Sequence, residues 1–332
     1  MKVSERSRGS ISVLVSKIPM TDKADVFITG EKNRITGVQN VLGAFDITMF
    51  SGTLVAVKAN FNSADPFPAS THIDTLDTIC SAILEQYPAR VTLVERSGMG
   101  NTRSVLEETG VISCSRNRGF DVTVLDDLDR SGWQEIQAAG LHWDRGFFLA
   151  KDIARADYVV QTCCLKTHRY GGYFTLSLKN MVGTIARRVP GLDYDFMNEL
   201  HTSPHQRLMI AEINKFCITD IIVMDATEGF SSGGPDKGKL IKPGIILASR
   251  DRVAIDAVGV ALLRASGTVP VVMNGKIFEL EQIARAAELG VGIGSADRIR
   301  LVPLDESGRA AAELVQHQLD LDLEPDSVRK GT

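Results

Sequence analysis

Short apolar, β-branched runs recur along the chain. Each is closed by a turn cluster and followed by a stretch in which apolar residues return every three or four positions. The runs fall at 54–61 (LVAVKANF), 91–94, 122–125, 158–163, 221–224, 244–248 and 299–302. Helical spacing is clearest at 73–84, where Ile73, Leu76, Ile79, Cys80, Ile83 and Leu84 recur at three and four, and Thr71 with Asp74 resembles a capping box at the start. Residues 253–263 and 278–289 read the same way. Strands apolar on both faces, alternating with helices, predict an α/β fold. Mostly parallel sheets are covered by helices on both faces, in two lobes with a cleft between them.

The first fifty residues hold a strand at 11–15, another at 26–28 and a helix at 37–45, and read as an integrated leading segment. The stretch 187–204 lacks periodicity and carries Pro190 and Pro204, which predicts a long loop joining the lobes. The expected division is a first α/β lobe over 1–190, a second over 191–310, and a C-terminal helix with a frayed tail over 311–332, the helical pattern itself beginning near residue 306.

Composition narrows the function classes. With 44% hydrophobic and 23% charged residues, the chain is an ordinary globular protein. Its net charge of -4 leaves no positive excess to neutralise nucleic acid or an anionic membrane. The five cysteines form no C-x-x-C pair, so no disulfide framework and no ferredoxin-type cluster motif is written here. No stretch reaches the length of a membrane span, and the run at 11–15 is too short for a signal-peptide core, so the expectation is a cytoplasmic protein and, by default, a homodimer.

In open parallel sheets ligands bind beyond the carboxyl ends of the strands, so the polar residues that close each run are the site candidates. The run 54–61 carries Lys58 and Asn60, polar positions that are costly in an apolar strand unless paired or used. Glu95 closes 91–94 and leads into a glycine-containing turn that is neither G-x-G-x-x-G nor a P-loop. The densest cluster follows 158–163: Lys166, His168 and Arg169, then Lys179 and Asn180, with glycines that let backbone approach a ligand. Lysine is the side chain whose pKa falls most readily on burial or beside another cation, which makes it a base or a nucleophile. Asp225 and Glu228 follow 221–224, and His201 and His205 stand four apart around Pro204, at a helix entry. Asp251 has the place of a helix N-cap, whereas Asp256 lies inside an apolar helix without that role.

These residues fall into ordered motifs. Val57-Lys58-Ala59-Asn60-Phe61, Leu165-Lys166-Thr167-His168, Thr175 through Lys179-Asn180 to Gly183, Asp225-Ala226, Gly234-Pro235-Asp236-Lys237-Gly238, and Ser249-Arg250-Asp251 with Val253-Ala254 and Asp256 resemble the family catalogued as domain of unknown function 362, over about residues 53–263. Many of its members carry a ferredoxin-like four-cysteine module, which this chain lacks. A more distant resemblance is to the nickel-pincer lactate racemase family, in which a lysine that bears the cofactor follows a histidine by about ten residues. His168 and Lys179 are similar in outline, though Asn180 follows the lysine and the paired upstream histidines are missing.

Two functions follow as expectations. In the first, an enzyme acts on a small anionic, carboxylate-bearing substrate. Lys58, Asn60, Glu95, Arg169 and Asn180 bind it, and Lys166, His168, Lys179 and Asp225 do acid-base or cofactor-assisted chemistry, either isomerase-like or redox-linked. In the second, a non-catalytic protein carries a metal, an iron-sulfur group or another cofactor through its cysteines and histidines. His201, His205 and Glu228 are the candidate metal ligands, and nickel or iron the candidate metals.

Overall fold

The computed structural model describes residues 23–324; the strand expected at 11–15 and the end of the tail lie outside them. The described strands are β1 (Ala24–Thr29), β2 (Leu54–Lys58), β3 (Arg90–Glu95), β4 (Asp121–Val124), β5 (Trp133–Ile136), β6 (Phe147–Ala150), β7 (Tyr158–His168), β8 (Tyr173–Thr175), β9 (Ile221–Ser232), β10 (Lys239–Ile241), β11 (Ile245–Ser249) and β12 (Ile299–Pro303). Ten of them form one sheet, in the order β12-β1-β11-β9-β7-β2-β3-β4, with β8 pairing β7 and β10 pairing β9. Along this path every pair is parallel except those made by β11, which runs against both β1 and β9. The protein is thus a mixed α/β fold around a large, mostly parallel sheet. Strands from both sides of residue 190 share that sheet, and β1 lies between β11 and β12.

The parallel strands are apolar on both faces because helices cover both. On one face Val55, Val57, Leu93 and Val160 pack with Leu76, Ile79 and Ile83 of the helix Ile73–Leu84. On the other, Met224, Leu247 and Cys163 pack against the helix Arg252–Ala265. Each fully buried Val, Leu or Ile contributes about 1.5–3 kcal/mol to folding. Among the described residues no helix is long and apolar enough to cross a membrane.

Local chemistry explains where elements depart from the sequence pattern. The helix Ile73–Leu84 has the expected bounds, but its N-cap is His72, whose ring accepts from the Asp74 N–H. Thr71 instead accepts from the backbone of Asn60 at 2.9 Å, tying the loop after β2. The first helix is Arg34–Leu42, capped by Asn33, and starts before the expected 37–45. The stretch 187–204 is not all loop: Asp195 accepts from the N–H groups of Met197 and Asn198 at 3.1 and 2.9 Å and starts the helix Phe196–Thr202, two turns too short to show a period. β7 runs on to His168 because its second half pairs with β8, Lys166 opposite Thr175 and His168 opposite Tyr173. It also pairs with β9 beyond a register shift at Cys164/Leu165. Lys166 and His168 therefore sit on a strand, two apart on one face, rather than in the loop after it.

Candidate functional site

At the carboxyl ends of β2, β3 and β7 lies a cavity of about 360 Å³. β8, the short helix Ser177–Asn180, the turn Met181–Thr184, the helix Phe196–Thr202 and Pro235 complete its walls. Of the residues singled out in the sequence, Lys58, Asn60, Glu95, Lys166, His168, Lys179, Asn180 and His201 line it.

A chain of hydrogen bonds ties the floor together. Lys58 is paired with Glu95 at 2.6 Å, both 1% exposed, and also donates to the Ala59 carbonyl. The other Glu95 oxygen accepts from the Phe61 N–H at 3.2 Å, and the paired one from the Arg96 N–H at 3.0 Å. Lys166 donates to Asn60 Oδ1 at 2.6 Å and to the Ala69 carbonyl. Asn60 Nδ2 donates to Asn180 Oδ1 at 3.3 Å, and Asn180 Nδ2 to the Thr162 carbonyl at 3.0 Å. Glycine makes room at two points. A Cβ at Gly183 would stand 2.9 Å from Lys58 Nζ, and one at Gly172 would stand 2.6 Å from Lys179 Cε and 3.2 Å from His168 Nδ1.

Lys179 differs from the other two buried lysines. It is 8% exposed, and among the described residues no acceptor holds its ammonium. Burial, then the charges of Lys166 and Arg96, lower its pKa to about 8. His168 is 9% exposed, its Nδ1 has no partner, and burial followed by the charge of Lys179 holds its pKa well below the ordinary value, so the ring is neutral. Thr175 Oγ1, also lining the cavity, is buried without a partner. Burial moves Lys58 and Lys166 down and Glu95 up, toward neutrality, against the attraction within the Lys58–Glu95 pair. Five cations line the cavity, Lys58, Arg96, Lys166, Lys179 and Arg187, against the carboxylates Glu95 and Asp195. An overall acidic protein thus has a cationic pocket.

Asn62, Arg96 and Thr175, which follow the apolar runs but carry no assigned role in the sequence reading, also line the cavity, as do Arg187, Asp195 and Asn198 from the stretch expected to be a loop. Arg96 directly follows Glu95, and its guanidinium donates to the carbonyls of Ile185 and Val182 at 3.0 and 3.1 Å. Thr175 opens the run that leads to Lys179, and its place opposite Lys166 required knowledge of the β7–β8 hairpin.

Four singled-out residues lie elsewhere. Asp225 accepts from Arg34 Nε at 2.8 Å, Thr75 Oγ1 at 2.7 Å and Thr227, and pins two helices to β9. Arg169 pairs with Asp236 at 2.8 Å and donates to the Gly234 carbonyl, fastening the β7–β8 turn. Glu228 pairs with Lys242 at 2.7 Å. His205 precedes the helix Gln206–Ile213 and packs on the His142 ring at 4.8 Å. His201, His205 and Glu228 thus do not share a site, and among the described residues no group of three or more His, Cys, Asp or Glu side chains stands together. Burial raises Cys164 and Cys217 to about 11, so both are thiols at neutral pH. Around Lys179 the imidazoles of His168 and His201 stand among the cations Lys166 and Arg96, whose charge opposes that of a metal ion.

Asp256 reaches the site from below. Its two oxygens accept from the N–H groups of Ser177 and Leu178 at 2.7 and 3.1 Å and so fix the turn that carries Lys179 and Asn180. Burial raises its carboxyl to about 8, against the pull of those N–H groups. An acid raised on folding stabilises below its unfolded pKa of about 3.9, and that contribution is lost as pH rises toward the folded value. Asp256→Asn is therefore expected to lower the urea midpoint more at about pH 5 than at about pH 8. Equal losses at both would mean that the carboxyl does not titrate in this range.

The family profile described as Domain of unknown function (DUF362) matches residues 55–261, more than half of the chain. The protein belongs to the DUF362 family. This is the family that the ordered motifs resemble, and the matched span holds every cavity-lining residue named above. A search of curated proteins found no match. Among solved structures, this DUF362 chain is similar to the lactate racemase apoprotein from Thermoanaerobacterium thermosaccharolyticum, at 13% identity and a TM-score of 0.44, over 69% of this chain. It spans only 55% of that structure's length.

Proposed function

We propose that the cavity is the active site of an enzyme for a small carboxylate. Lys166 and Arg96 attract the carboxylate, and Lys179 and His168 exchange protons with the substrate. One observation supports this: among the described residues His168 Nδ1 and Thr175 Oγ1 are buried without a hydrogen-bond partner, and they line the same cationic hollow as Lys179, which no acceptor there holds. Buried polar groups are almost always satisfied, so two orphaned ones beside the Lys179 amine call for a bound molecule. About 360 Å³ lies at the small end of ligand clefts and suits a molecule of a few carbons. With a pKa of about 8, roughly a tenth of Lys179 is free amine at neutral pH and able to accept a proton, a role worth about 10² to 10⁴ in rate.

Calorimetric titration with lactate, malate and succinate, set beside their uncharged amides, tests the reading. Carboxylates are expected to bind at least about tenfold more tightly than the amides, roughly 1.4 kcal/mol, and Lys179→Met and Thr175→Val to weaken them. Equal binding of acids and amides would defeat the proposal.

A further inference from the structure

The geometry points to 2-oxo carboxylates as the substrate class, with the Lys179 amine adding to the carbonyl carbon to form an imine; this rests on the carboxylate-binding reading above. The three buried lysines of the cavity provide an internal comparison. Lys58 is matched with Glu95, and Lys166 with the Asn60 side chain and the Ala69 carbonyl. A lysine placed for charge alone is satisfied in one of these ways. Lys179 is 8% exposed, against 1% for Lys58 and 0% for Lys166, and the charged and imidazole groups that bear on it are Lys166 and His168 from β7, Arg96 from the end of β3, and His201 from the helix Phe196–Thr202. Such surroundings favour the uncharged amine, the form that attacks a carbonyl. The same cations draw in a carboxylate, so an acid whose carbonyl is next to its carboxyl group brings an electrophilic carbon to the nitrogen. An acid without that carbonyl would meet the same charges with nothing for the amine to attack.

The step balances without an oxidant or a reductant. The nitrogen lone pair forms the N–C bond as the carbonyl π pair moves to oxygen, which takes a proton and gives a carbinolamine. The C–O bond then breaks with release of water, and the nitrogen lone pair closes the C=N bond as its proton leaves. His168, neutral and with Nδ1 free beside Lys179 across Gly172, is placed to carry the proton between nitrogen and oxygen. The missing methyl at residue 172 gives the amine its space: a Cβ there would press on Lys179 Cε.

The test is reductive trapping. The full chain is incubated with pyruvate, 2-oxobutyrate, oxaloacetate or 2-oxoglutarate and sodium borohydride, and its intact mass and peptides are measured. The expected result is a gain equal to the oxo acid less water plus two hydrogens, on the peptide containing Lys179. It should be absent in Lys179→Arg and slowed in His168→Gln, with thermal unfolding checking that both variants fold. Adducts at other lysines overturn the proposal. If calorimetry shows these oxo acids binding while no adduct is trapped, imine formation is overturned and the carboxylate reading stands. If neither oxo acids nor hydroxy acids bind, both fall.

Discussion

Glu95→Ala is expected to cost about 3–5 kcal/mol of folding stability, because it leaves the buried Lys58 ammonium without its counter-charge. Lys58 keeps only the Ala59 carbonyl and a 3.5 Å contact to Asn180 Oδ1. The N–H groups of Phe61 and Arg96 lose their acceptor as well. Two further results would identify the cause. Replacing both members of the pair, Lys58→Met with Glu95→Gln, should recover most of the loss, since no buried charge then lacks a partner. In Glu95→Ala alone, burial holds the Lys58 pKa below its unfolded value, so the unfolded chain binds the extra proton between the two values and stability rises with pH. Urea midpoints measured toward pH 10 should therefore move back toward wild type. A loss that is pH-independent and remains in the double variant would assign the effect to packing.

Lys179 is expected to acylate through an inflection near pH 8, while exposed lysines titrate near 10.4. At neutral pH its free-amine fraction then exceeds theirs by about two hundredfold. Trace acetic anhydride followed by peptide mapping measures this directly, and succinate should protect the site. An inflection shared with the surface lysines would show that the ammonium is held by an acceptor.

Much of the fold is legible because burial on both faces leaves its mark on sequence. The runs at 54–61, 91–94, 122–125, 221–224, 244–248 and 299–302 each fall on β2, β3, β4, β9, β11 or β12. The helices at 73–84 and 252–265 carry enough turns to show their period. What escaped was short or set by pairing at a distance. β8 has three residues, and the helix Ser177–Asn180 has four and is held by Asp256 from another layer. The far half of β7 holds Lys166 and His168, residues that no apolar pattern marks as strand. Site residues were legible where a charge interrupted an apolar run, as at Lys58. Asp225 has the same signature and a different use, because a buried carboxylate that joins Arg34 to Thr75 looks in sequence like one awaiting a substrate. Only the fold, by supplying those partners, separates the two.

The row of side chains under the cavity also has a direction. Lysine can only donate, so Asn60 must turn its oxygen to Lys166 and its nitrogen to Asn180, which in turn must offer its nitrogen to the Thr162 carbonyl. Neither amide can rotate end over end without setting like poles against each other. The floor beneath a bound molecule is therefore a fixed dipolar track, whose orientation the flanking cation imposes.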